Sequence, residues 1–201
     1  MPITSAPLLA AFAAGATLAL TPPPPGPSAP VHKVQLSAAE RAAELERLHE
    51  ELNSDNPFLR RAAFEIAMSG DDDLVQRLAI DAAMGGEDLD LQADALRAWL
   101  ERNERLSLDL QLPDRPTDEQ RDFFNRNEPA WFTVFEVSPT SLQLLFRGSP
   151  NTRYNGGFVP GGLRVHFRDC RLDLRVVDRR QLAGTLSCGA DRSLLALVAL
   201  H

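Results

Sequence analysis

The sequence predicts an α+β protein: a helical-hairpin segment, then a small antiparallel β-sandwich or barrel-like domain with one disulfide. Three observations lead there. Apolar residues recur at helical spacing from Ser37 to about Asn103. From Trp131 onward the apolar period becomes two, the signature of strands with one buried face. The two cysteines, Cys170 and Cys188, fall opposite each other when the last third of the chain is folded as a hairpin.

The chain of 201 residues divides by composition into five parts. Residues 1–20 read as a signal peptide or membrane anchor. Ala6 to Leu20 is an uncharged, Ala- and Leu-rich run, shorter than the ~20 apolar residues that a spanning helix needs. Small residues near Ala16 and Ala19 suit cleavage after either. Residues 21–36 form a Pro-rich linker, in which TPPPPGPSAP favours an extended spacer without a core.

Residues 37–112 read as the helical segment. Ser37 and Glu40 have the spacing of a capping box, in which each side chain satisfies the other's backbone N–H. Asn56-Pro57 starts a second helix, since proline in the first turn forfeits no hydrogen bond, and Gly70 ends it. Asp71 to Asp73 open a third helix and Glu87, Asp88 and Asp90 a fourth, where carboxylates meet the positive end of the helix dipole. A shift of 16 residues superimposes these helices: Leu59 on Val75 and Leu91, Ala63 on Ala79 and Ala95, Phe64 on Ile80 and Leu96. In NPFLRRAAFEIAMSGD, DDLVQRLAIDAAMGGE and LDLQADALRAWLER, from about Asp55 to Asn103, the chain resembles the HEAT-like repeats of α-solenoids. That resemblance implies a stacked helical scaffold or a protein-interaction surface, and it does not imply an enzyme.

Residues 113–130 form a polar connector with a short helix from about Thr117, and 131–201 form the antiparallel β-domain. Trp131, Thr133 and Phe135 alternate with Phe132 and Val134. Leu142, Leu144 and Phe146 resume the pattern after a Ser-Pro-Thr-Ser turn, and residues 148–162 read as a turn-rich stretch. Leu163, Val165 and Phe167 share one face. The parity then flips, so that Cys170, Leu172, Leu174 and Val176 share it, which requires a turn or bulge near Asp169. Folding this run back about Arg179 sets Val176 opposite Leu182, Leu174 opposite Gly184, Leu172 opposite Leu186 and Cys170 opposite Cys188. Directly opposed Cα atoms lie ~4.5–5.5 Å apart, within disulfide range. Ser193 to Leu200 is apolar on both faces, as a central or covered strand should be.

Charge is uneven. The net charge is −7, which speaks against general nucleic-acid binding because that relies on neutralising phosphates. From Ser37 to Leu112 there are 18 acidic and 8 basic residues, and from Ser141 to His201 there are 4 acidic and 9 basic. Arg164, His166 and Arg168 occupy the polar parity of one strand, and Arg171 and Arg175 that of the next. These five residues form the candidate interaction surface. It would face either the acidic helices or an external anionic partner.

No catalytic residues are assigned. His32, His49, His166 and His201 are scattered and have no ligand spacing, so no metal site and no cofactor are expected. Nucleophile-elbow, phosphate-loop and dinucleotide motifs do not occur in the sequence. The expectation is an exported, periplasmic or secreted cell-envelope protein. It would serve as a non-catalytic interaction or scaffold module for an unknown protein or an anionic envelope component. No nucleic-acid partner is expected, and no integral membrane domain beyond a possible N-terminal anchor. Two alternatives stand beside this. A small-ligand or inhibitor-like β-domain would show a deep apolar pocket inside the β-domain. An enzyme with an inter-domain site would bring His166 or Tyr154 near the helical carboxylates.

Overall fold

A computed structural model describes residues 37–147 and 152–200. The expected signal or anchor at 1–20, and the linker at 21–36 up to its last residue, lie outside the described residues.

The helices begin where the capping chemistry puts them. α1 (Ala38–Leu52) carries the complete Ser37/Glu40 capping box, and α2 (Pro57–Ser69) starts on Asn56, whose side chain accepts from the Phe58 N–H. α3 (Asp73–Met84) and α4 (Leu89–Leu100) start on Asp72 and Asp88, each accepting two backbone N–H groups. Burial increases along the series. α1 buries Leu52 alone of its residues, whereas α4 buries Leu91, Gln92, Ala95, Leu96, Ala98 and Leu100. The Gln92 amide earns its buried place by donating to the carbonyls of Met84 and Gly86, which tie α3 to α4. No helix among the described residues is long and apolar enough to cross a membrane.

The β-domain is a closed barrel of eight strands, each hydrogen-bonded to its neighbours in sequence and the last to the first. The strands are β1 (Arg105–Gln111), β2 (Ala130–Val137), β3 (Leu142–Phe146), β4 (Arg153–Val159), β5 (Gly162–Phe167), β6 (Cys170–Asp178), β7 (Gln181–Cys188) and β8 (Arg192–Ala199). α5 (Asp118–Asn127) interrupts the path from β1 to β2, with Thr117 and Gln120 as its capping box.

Two expectations need correcting. The helical segment does not extend to residue 112, because Leu106, Leu108 and Leu110 alternate inward in β1, which closes the barrel between β2 and β8. The stretch 148–162 is not all turn, because β4 runs through it and pairs with β3 and β5. Its Gly156 faces inward, where a Cβ would stand 2.9 Å from the Arg164 carbonyl oxygen, so glycine is what lets β4 lie against β5.

The β6–β7 hairpin has the register expected from the sequence: Cys170↔Cys188, Leu172↔Leu186, Leu174↔Gly184 and Val176↔Leu182. Cys170 and Cys188 are disulfide-bonded. A register shift between Val176 and Asp178 leaves Arg179-Arg180 as a two-residue loop. The parity flip at Asp169 is also a tight hairpin. Phe167 pairs with Cys170, and Arg168 takes the left-handed conformation at φ 54°. β8 buries Leu194, Ala196 and Val198 inward, while Leu195 is half-exposed on its outer face.

A barrel of eight strands is just wide enough for its own side chains. Here Leu106, Phe132, Leu144, Leu163, Leu172 and Leu182 are fully buried inside it. Phe132, Phe146 and Phe167 cluster in tilted and edge-on pairs with centroids 4.9–5.1 Å apart near the disulfide end, and Tyr154 meets Phe167 edge-on. α5 covers that end. It buries Phe123, and the Gln120 amide donates to the Ser193 carbonyl. α4 crosses the opposite end, packing on β2, β4 and β5, and the Leu89 carbonyl accepts from the N–H of Gly161 in the β4–β5 turn at 2.7 Å. One continuous core therefore runs from the helices through the barrel to α5.

Candidate interaction surfaces

The β5–β6 hairpin carries the basic surface expected from the sequence. Leu163, Val165, Leu172 and Leu174 point inward, so Arg164, His166, Arg171, Asp173 and Arg175 face out. Register then decides their chemistry. Arg164 lies directly opposite Asp173, and its Nε donates to Oδ1 at 2.6 Å. Arg171 takes the other carboxylate oxygen. Burial alone would raise the Asp173 carboxyl. The hydrogen bonds and charges of Arg171 and Arg164 outweigh it and hold the group below its ordinary value. Arg175 is spent on the Pro160 carbonyl at 2.5 Å. Arg168 stands in the turn rather than on the strand face, and His166 is exposed between Asn155 and Arg171. Of the five candidate residues, the fold gathers Arg164 and Arg171 on a neutralising carboxylate, leaves His166 exposed beside Arg171, and sets Arg168 and Arg175 at opposite ends. Among the described residues no ion pair links this face to the acidic helices.

A better-supplied surface lies on the adjoining wall. Ala130 and Phe132 point inward from β2, which turns Trp131 outward. A register shift between Val134 and Glu136 leaves Phe135 outside too, about half exposed. The Arg105 guanidinium lies 4.6 Å from the Trp131 ring centre and that of Arg147 5.8 Å away. Arg153 caps the Phe135 ring at 3.9 Å. The alternation of β2 contains this information, since Trp131 and Phe135 occupy the parity opposite to the buried Phe132. The three arginines come from other elements, and only the barrel brings them alongside.

A third feature is a groove of about 770 Å³ where α3 and α4 meet the β6–β7 turn and the end of β8. Ile80, Met84, Trp99 and Leu200 form its apolar part, and Arg77, Arg102, Arg179 and Arg180 line it with Asp73 and Asp81. It contains helical carboxylates but neither His166 nor Tyr154, which is buried in the barrel against Phe167. Asp169, the only carboxylate close to His166 in sequence, is paired instead with Arg192 at 3.2 Å. Among the described residues no three His, Cys, Asp or Glu side chains are grouped to hold a metal ion.

Compared with known protein families, curated proteins and solved structures, the chain matches none.

Proposed function

We propose that the protein is an exported, non-catalytic interaction module that binds an acidic protein partner through the outer wall of its barrel. The observation that carries this reading is the outward-facing pair of arginine-capped rings, the half-buried Trp131 with Arg105 and Arg147, and the exposed Phe135 with Arg153. Trp and Arg dominate the energetics of protein interfaces, and a cation held over a ring is already ordered before binding. Arg105, Arg147 and Arg153 give the wall three cations, and an acidic surface complements them.

Three features support the rest of the reading. The disulfide suits an oxidising, periplasmic or secreted setting. The HEAT-like spacing of the helices suits a scaffold that presents the barrel. The barrel interior is packed as core, which favours its outside as the working surface.

The test is affinity capture from a cell-envelope extract with the disulfide-bonded chain, parent against Trp131→Ala/Phe135→Ala, at low and high salt. An acidic protein retained by the parent, lost by the variant and released by salt is the expected result. The same set of captured proteins from parent and variant would reject the wall as the binding surface.

A further inference from the structure

We infer that the groove between the helices and the barrel end is a binding site for a short-chain amphiphilic anion, with its head group on the arginines and its apolar body against Trp99. This inference does not rest on the barrel wall, which lies elsewhere.

The position and size fit. Small-ligand sites favour junctions between structural units and fall mostly between about 300 and 1,000 Å³, and this groove is about 770 Å³. The charge is the more telling feature. The helical half is strongly acidic, yet among the described residues its junction with the barrel is lined by four arginines against two aspartates. Local charge is thus opposite to that of the surrounding helices.

The arginines are only partly committed. Arg77 pairs with Asp73 at 2.7 Å, and Arg102 donates to the Gln76 side chain. Arg179 and Arg180 occupy the two-residue turn between β6 and β7, yet the turn does not use their side chains. Asp178 Oδ1 accepts from the Arg180 N–H at 2.7 Å and so supplies the side-chain hydrogen bond that the backbone needs. Neither guanidinium takes part in an ion pair or hydrogen bond among the described residues. The Arg179 stem lies on Gly85, where a Cβ would overlap it, so the side chain packs against the end of α3.

The apolar part decides what kind of anion fits. Trp99 is half-buried at the groove and is backed by the buried Ile80, Met84 and Leu200. Asp73 and Asp81 oppose a bare anion, so a ligand must bring apolar contact as well as charge. Arginine forks match carboxylate and phosphate equally in shape, and either head group meets the requirement.

The experiment is titration of the full chain with octanoate, octyl phosphate, inorganic phosphate and the uncharged octyl glucoside, followed by calorimetry. Trp99 emission in a Trp131→Phe background gives a second readout, since the chain has two tryptophans. Saturable binding of at least one of the two amphiphilic anions is expected, and the preferred one identifies the head group. Inorganic phosphate and octyl glucoside should bind at least tenfold more weakly. Arg179→Gln/Arg180→Gln changes exposed turn residues and should weaken binding at least tenfold with the thermal midpoint unchanged. Gly85→Ala, which displaces Arg179 without removing charge, should weaken it less. No saturable binding of either anion, equal binding of octyl glucoside, or an affinity unchanged in the double variant would overturn the assignment.

Discussion

Replacing Cys170 and Cys188 together by alanine removes the cross-link of the β6–β7 hairpin but leaves its eight-residue register available to form. The cysteines are 18 residues apart, and both are buried. In the chain-entropy description, a loop of that size restricts the unfolded chain by the equivalent of about 3 kcal/mol. For a protein of this length each kcal/mol is worth ~2–4 °C in midpoint, so the variant should melt ~6–12 °C below the oxidised parent. Thermal and urea unfolding followed by circular dichroism measure this. The parent in reductant isolates the cross-link from the lost sulfur packing and should fall by nearly the same amount. Thiol titration of the unreduced parent should find no free cysteine. A variant that unfolds at the oxidised parent's midpoint, or two free thiols in the unreduced protein, would refute the reasoning.

Leu96 is fully buried in the helix that crosses the barrel end, so Leu96→Ala should cost ~2–5 kcal/mol in denaturant unfolding, with a single transition for helices and barrel because they share one core. Gly184 faces inward opposite Leu174, and an added Cβ would overlap the Asp173 carbonyl oxygen. Gly184→Ala should therefore destabilise by ~1–3 kcal/mol or more, read as a lower urea midpoint. Asp173 has its folded pKa held below the ordinary 3.8, so its ion pairs stabilise the fold above that value, and the contribution is lost as pH falls through the folded pKa. Asp173→Asn should be less stable than the parent at pH 7, with the gap closing below about pH 4, as urea midpoints at pH 7 and pH 3 would show.

The parts of the fold that announce themselves in the sequence are those whose determinants are local. Capping residues Ser37, Asn56, Asp72, Asp88 and Thr117 mark helix starts, because an exposed N–H needs an acceptor within three residues. The β6–β7 register is legible because four inward pairs and two cysteines agree on it. β1 was equally regular, with Leu106, Leu108 and Leu110 alternating, but it directly follows α4 and is separated by a helix from the strand it pairs with. Periodicity alone did not detach it from the helical segment. β4 was hidden for another reason. Its inward positions include Tyr154 and Gly156, and glycine there reflects the close approach of β5, which is a tertiary fact. The candidate surfaces divide in the same way. The outward parity of Arg164, His166 and Arg171 could be read directly, but the pairing of Arg164 and Arg171 with Asp173 depends on register. The junction groove draws on α3, α4, the β6–β7 turn and β8, and no spacing in the chain relates Arg77 to Arg180 or Trp99 to Leu200.

Closure of the barrel between β1 and β8 has a consequence for how the chain reaches this state. Asp109, Leu110 and Gln111 find their partners at Leu197, Ala196 and Leu195, so the first strand must wait for the last. The helices and the β6–β7 hairpin form from near neighbours and need no such wait. Until β8 arrives, β1 and β7 each present an unpaired rim of backbone N–H and C=O groups to any strand they meet. A chain shortened before Arg192 would carry both rims permanently. Such a product should stick to its own copies rather than remain a smaller soluble fold, so the final strand acts as the seal that makes the assembled wall inert.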